Sequence, residues 1–140
     1  MNERGGALFD TDAASALYLE LPSTAQVPDE IALTVDEGRQ SFVSAITLGE
    51  AFYGVARRKW SARRTTRLRD FYAVRFVVVP VDGEVADEYA RLRAATETLG
   101  RPIADNDLWI AATATANYLP VVTRNRRHFE PLTLHNLILL

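Results

Sequence analysis

Apolar positions along the chain follow two alternating patterns. Short runs rich in β-branched and aromatic residues read as strands: Ala7-Leu8-Phe9, Ser41-Phe42-Val43-Ser44, Arg75 to Pro80, and Leu119-Pro120-Val121-Val122, which ends at Thr123. Between them, apolar residues recur at helical spacing. Ala13 to Leu21 is predicted as a helix stopped by Pro22, and Asp29 to Gly38 as a second with Gly38 at its end. Thr47 to about Lys59 carries Leu48, Ala51, Phe52 and Val55 on one face, and Ser61 to Tyr72 continues as another helix. Asp82 to Leu99 is long and amphipathic, with Val85, Tyr89, Leu92 and Leu99 marking its face and Gly100 closing it. The stretch from Asp105 opens with three capping residues, Asp105, Asn106 and Asp107, ahead of the alanine-rich run Leu108 to Ala112. Leu132 to Leu140 reads as an edge strand, Pro22 to Pro28 and Arg124 to Pro131 as loops, and Met1 to Gly6 as a flexible tail. Strands that alternate with helices imply an α/β fold: one domain over residues 1–140, a mainly parallel sheet between two layers of helices.

Composition narrows the chemistry. There is no cysteine, which excludes disulfides, thiolate metal cages and a cysteine nucleophile. No apolar run reaches membrane-spanning length and no signal-peptide pattern is visible, so a soluble cytoplasmic protein is expected. Net charge is −2 but unevenly placed. Between Arg57 and Arg69 stand seven cations (Arg57, Arg58, Lys59, Arg63, Arg64, Arg67 and Arg69) and no acid, which leaves −9 on the remainder. That patch is either a solvated helix face or a contact for a polyanion or acidic partner. Lys59 is the chain's one lysine, so phosphate recognition would fall to arginine.

Three carboxylates occupy comparable places. Asp10 ends the first strand, Glu50 lies near the start of the helix after the second strand, and Asp107 begins the helix after the long amphipathic one. Each also has a structural explanation. Thr47-Leu48-Gly49-Glu50 fits a capping box, Asp107 complements a helix dipole, and Asp10-Thr11 fits an Asx turn. In a parallel sheet, however, strand C-termini and the N-termini of the helices after them share one edge, where ligands bind. Clustered there, the three acids would repel unless cations neutralise them, and hard oxygen donors suit Mg²⁺ or Mn²⁺. Such ions serve phosphoryl chemistry, and the basic segment would then meet a phosphate backbone.

These residues resemble the PIN-domain ribonucleases, specifically the VapC-type toxins of bacterial toxin–antitoxin pairs. The resemblance rests on Leu8-Phe9-Asp10-Thr11-Asp12, on Ser44 to Glu50 with its Thr-x-x-Glu segment, on Gly100-Arg101-Pro102-Ile103 followed by Asn106 to Ala112, and on Val121 to Asn125 with His128-Phe129. Together these span Leu8 to about Phe129 in the family's order and spacing. The resemblance implies a PIN-like three-layer sandwich and a metal-dependent endoribonuclease in which metal-activated water cleaves RNA phosphodiesters. Asp10, Glu50 and Asp107 take the metal-binding and catalytic places, with Asp12, Asp105, Thr123 and Asn125 in support. Asn125 stands where many members carry a fourth acid. His128 is expected at the surface or behind the ligands, not as general base, and His135 as structural. Implied partners are RNA, a cognate antitoxin and a second copy in a homodimer. Arg57, Arg58, Lys59, Arg63, Arg64, Arg124, Arg126 and Arg127 are candidates for RNA or antitoxin contact. Two other readings compete: a PIN-like fold retained only for binding, and an aspartate-nucleophile phosphatase built on Asp10-Thr11-Asp12. The second lacks a suitably placed lysine.

Overall fold

The computed structural model describes residues 5–20, 40–132 and 137–139. The expected helix Asp29 to Gly38, the loop Pro22 to Pro28 and His135 lie outside the described residues. Five parallel strands are ordered β3-β2-β1-β4-β5: β1 Gly6–Phe9, β2 Gln40–Ser44, β3 Val77–Val79, β4 Val121–Thr123 and β5 Leu137–Leu139. Five α-helices are described: α1 Thr11–Glu20, α2 Ala45–Arg58, α3 Ala62–Arg75, α4 Gly83–Thr98 and α5 Asp105–Ala116. None of these helices is long and apolar enough to cross a membrane.

Alternation along the central strands divides the core between two faces. Ala7, Phe9, Val43 and Val122 pack with Ala13, Leu17, Val55, Leu68 and Tyr72 of α1, α2 and α3. Leu8, Val79 and Val121 pack on the other face with Val85, Leu92, Leu108 and Ile110 of α4 and α5. Successive strand residues point to opposite faces, so one apolar run supplies both layers. The alanines of α5, Ala111, Ala112 and Ala114, are buried and let that helix lie close against the sheet and α4.

Several boundaries differ from the sequence reading for identifiable reasons. Gly6 is not tail but the first residue of β1, paired with Gln40. The valine run at 77–79 forms a strand, but Arg75 belongs to α3 and Phe76 closes that helix by donating its N–H to the Tyr72 carbonyl. β3 is also an edge strand, with Val77 and Val78 exposed. On α4 the apolar face continues through buried Thr96, while Leu99, beyond the last helical residue, is 61% exposed. The end of α4 is a Schellman closure: Gly100 at φ +64° donates to the Glu97 carbonyl and Arg101 to that of Thr96.

Candidate active site

The strand order reverses at β1, and the crevice between the C-termini of β1 and β4 is where an open parallel sheet receives ligands. Asp10 stands there. Its backbone N–H still bonds the Val122 carbonyl of β4, and its own carbonyl accepts from Ala14 as α1 begins. The carboxylate is 4% exposed, with one oxygen accepting from the Ala13 N–H at 2.8 Å and the other from the Thr123 hydroxyl at 2.6 Å. Thr123 in turn accepts the Asn125 N–H at 3.0 Å. Burial pushes the Asp10 carboxyl above its ordinary range. The Thr123 and Ala13 bonds pull it down, and the charges of Asp12 and Asp107 push it further up.

Glu50 arrives from α2. Ser44, not Thr47, caps this helix, accepting from the Ile46 N–H at 3.1 Å. The capping-box explanation for Glu50 is therefore overturned: Thr47 is inside the helix and buried. Glu50 instead accepts from the Thr11 hydroxyl at 2.7 Å, and Thr11 stands 3.2 Å from the Thr47 hydroxyl. Thr11 has one proton and gives it to Glu50, so Thr47 donates to Thr11. The result is a hydroxyl chain that fixes the carboxylate between α1 and α2. A similar pair, Ser44 and Thr113 at 3.2 Å, ties the cap of α2 to the middle of α5.

Asp107 sits in the first turn of α5 with its side chain 20% exposed. Burial raises its carboxyl above the usual value, His128 lowers it, and the Glu50 charge raises it again. His128 is exposed, as expected of a surface residue, and it touches one of the three acids. A short 3₁₀ turn over Arg126–His128 brings its Nδ1 to 3.1 Å from Asp107 Oδ2, while Nε2 lies 2.9 Å from the Asn125 amide nitrogen. That amide nitrogen can only donate, so Nε2 accepts and Nδ1 carries the proton that faces Asp107. The sequence signal was the spacing Asn125-x-x-His128, a single 3₁₀ turn beyond the strand.

The remaining predicted residues divide. Asp12 is exposed beside Asp10 and acts on it through its charge. Asp105 does not cap α5, because Ala104 occupies that position and offers no side-chain bond. Asp105 accepts instead from the Tyr89 hydroxyl of α4 and lies 3.9 Å from Arg93. Tyr89 is stacked on Trp109 at 3.8 Å. Arg126 pairs with Glu130 at 3.5 Å, and Arg124 and Arg127 are exposed.

The acids share a cleft without closing on one another. Among the described residues no three of His, Cys, Asp and Glu are gathered as a ready-made metal cage. The physical reason is visible in the bonds: Thr11 draws Glu50 toward α1, and both Asp10 oxygens already accept protein hydrogen bonds. In donor type and charge the set nevertheless fits a hard divalent cation. All three are carboxylates, two are buried enough to be raised, and their mutual repulsion is what a cation would offset.

Fold and site together define a parallel α/β domain with an acidic cleft at its topological switch point. The chain belongs to the PIN-domain family, whose model matches residues 7–131. It is 36% identical over 102 residues to Ribonuclease VapC5 of Mycobacterium tuberculosis, covering 72% of this chain and 68% of that protein. It is 33% identical to the VapC ribonuclease Y4jK of Sinorhizobium fredii, covering 88% and 89% of the two chains. Among solved structures it resembles a member of the VapBC family of toxin–antitoxin systems, VapBC-5 from Mycobacterium tuberculosis, with TM-score 0.71, 29% identity, and 97% and 99% of the two chains covered.

Proposed function

We infer that this PIN-domain chain is an endoribonuclease and the toxin of a toxin–antitoxin pair, held in check by a cognate antitoxin. The observation that carries this reading is the pair of aspartates at the switch point, buried Asp10 and half-buried Asp107, each with a carboxyl raised by desolvation and by a neighbouring acid. The family supports the class of reaction, and relatives named as ribonucleases support RNA as the substrate. The solved relative is a toxin–antitoxin member, which supports the partner. An RNA substrate inside the cell is the ground on which we place the chain in the cytoplasm.

Asp10 and Asp107, with Glu50, are the residues that would hold Mg²⁺ or Mn²⁺. When bound, such an ion polarises a phosphodiester and makes water a competent nucleophile near neutral pH. The chain's own groups do the positioning. Thr123 fixes Asp10, Thr11 fixes Glu50, and His128 turns its Nδ1–H toward Asp107 while Asn125 holds the far side of the ring. No side chain is needed as a covalent nucleophile.

The test is RNA cleavage by the purified chain with added Mg²⁺ or Mn²⁺, beside Asp107→Asn. Metal-dependent cleavage that Asp107→Asn loses supports the assignment; undiminished cleavage by the variant overturns it. One observation favours a second reading, a PIN-like module that binds without cutting: the acids do not gather into a three-residue cage as they stand. Calorimetric titration with Mn²⁺ separates the two, because a binding-only module would take up no ion at Asp10 and Asp107.

A further inference from the structure

The basic segment is not one surface. Arg58 and Arg64 lie over the Trp60 ring, 5.9 and 4.1 Å from its centroid, and Arg69 lies 4.0 Å over Phe52. Those contacts belong to the side of α2 that faces α3. Arg57 makes none of them. At about 100° per residue, Ile46, Glu50, Tyr53 and Arg57 share the opposite flank of α2. Ile46 packs into the cluster that holds Leu108 and Trp109 of α5, so this flank faces the helix that carries Asp107. Glu50 is pinned on it by Thr11.

Beyond Glu50, the residues of that flank have no structural purpose inside the fold. Tyr53 is 67% exposed, an aromatic ring offered to solvent one turn from a site acid. Gly54 lies beside it, and a Cβ built there would meet nothing within 4 Å, so the surface is open. One turn further, Arg57 is exposed and, among the described residues, has no carboxylate partner, whereas Arg91, Arg93 and Arg126 are each paired with a glutamate. An open aromatic face followed by an unneutralised guanidinium is the pairing that single-stranded nucleic acid uses: a base stacks on the ring and a phosphate meets the cation. The need is plain at this site, because its acids repel the phosphates that must enter it.

Resting on the ribonuclease reading, we propose that the flank Glu50–Tyr53–Arg57 is a substrate subsite for unpaired, single-stranded RNA. The base beside the scissile phosphate stacks on Tyr53, and a phosphate a nucleotide or two away is held by Arg57, about 10 Å from Glu50 along the helix axis. Unpaired RNA is specified because a base within a duplex has no free face to offer the ring.

The experiment has two arms. In the first, cleavage of mixed-sequence single-stranded RNA by the unmodified chain is compared with Tyr53→Ala, Tyr53→Phe, Arg57→Ala and, as a control on α4, Arg91→Ala, whose guanidinium is already paired with Glu88. Tyr53→Ala is expected to raise KM roughly tenfold, from the strength of one base–aromatic stack, with Tyr53→Phe close to unmodified. In the second, a fluorescently labelled copy of the same RNA is titrated onto each variant in an Asp107→Asn background at several salt concentrations. Arg57→Ala is expected to lower the slope of log affinity against log salt by about 0.7, the loss of one phosphate contact, while Tyr53→Ala weakens binding with no change of slope. Arg91→Ala is expected to alter neither. Unchanged KM in Tyr53→Ala, an unchanged slope in Arg57→Ala, or effects confined to association with a protein partner would each overturn the subsite while leaving the ribonuclease reading intact. Absence of any RNA cleavage by the unmodified chain would overturn both.

Discussion

Replacing Asp10 by Asn should make the metal-free protein more stable while abolishing its function. Asp10 is 4% exposed, and its carboxyl is raised chiefly by burial, with Asp12 and Asp107 adding to the shift. A carboxyl whose folded pKa lies above its unfolded value of about 3.8 binds its proton more tightly in the folded chain. Stability is then highest at low pH, falls as pH rises from about 3.8 through the raised folded value, and stays on the lower level above it. At neutral pH the ionised side chain is therefore a cost. Asparagine removes the charge and keeps most of the bonding. Its oxygen can take the Ala13 N–H, and its nitrogen can donate to Thr123, which already accepts the Asn125 N–H. The Thr123 hydroxyl proton then loses its acceptor, which costs about 1 kcal/mol and offsets part of the gain. A net stabilisation of about 1 kcal/mol, the size common when a functional group is neutralised, corresponds to a rise in Tm of roughly 3 °C. Thermal unfolding from about pH 4 to about pH 8 measures it, and the gap between Asn and Asp should close toward the acid end. Saturating Mn²⁺ should reverse the order: an ion at about a hundred times its Kd adds about 2.7 kcal/mol to a chain that binds it and nothing to one that does not. An Asn variant that is less stable than the unmodified chain at neutral pH without metal would refute the reasoning, as would a gap that does not vary with pH.

Two further substitutions test a support of the site and the closure of α4. Thr11→Val keeps the shape but removes the hydroxyl that holds Glu50 and accepts from Thr47; about 1 kcal/mol of stability and roughly tenfold in kcat should be lost. Thr11→Ser should restore both, and a Val variant that cleaves like the unmodified chain would show that Glu50 needs no anchor. Gly100→Ala meets no steric contact, yet φ of +64° makes it cost about 1 kcal/mol by denaturant unfolding. Gly100→Asn should cost less, since asparagine tolerates that backbone; equal costs would place the penalty elsewhere.

The parts of this fold that were legible in the sequence are those set by local chemistry. The runs at Leu8–Phe9 and Val121–Val122 had to be strands, and apolar residues on both of their faces announced a sheet covered on each side. The placement of Asp10, Glu50 and Asp107 at one edge followed from topology alone. The misreadings were of two physical kinds. Ser44 and Thr47 are one turn apart and either hydroxyl could start α2; which one does depends on where β2 stops pairing with β3, a tertiary fact. Asp105 looked like a cap because caps favour aspartate, yet Tyr89 and Arg93 of a different helix claim its carboxylate. The exposure of His128 agrees with the sequence reading, but its partner Asp107 was not legible, since that contact spans β4 and depends on a 3₁₀ turn that the spacing Asn125-x-x-His128 permits without requiring.

The hydroxyl anchors also explain how the site can hold repelling acids in place without neutralising them. Thr123 and the Ala13 N–H both pull the Asp10 carboxyl down, and neither the two together nor the fold around them cancels the effect of burial, since the carboxyl remains raised. Had the protein compensated Asp10 fully, with more donors or a paired arginine, the carboxylate would gain little from an arriving ion. The arginines are instead kept outside: Arg58 and Arg64 on Trp60, Arg69 on Phe52. The side-chain nitrogen 3.1 Å from Asp107 belongs to an imidazole, a weaker partner for a carboxylate than a guanidinium. Partial compensation holds the acids in position and leaves an uncancelled negative field in the cleft. The fold uses the geometry of Asp10, whose side-chain oxygen caps α1 through the Ala13 N–H; the charge on that carboxylate is a cost that this cap does not require.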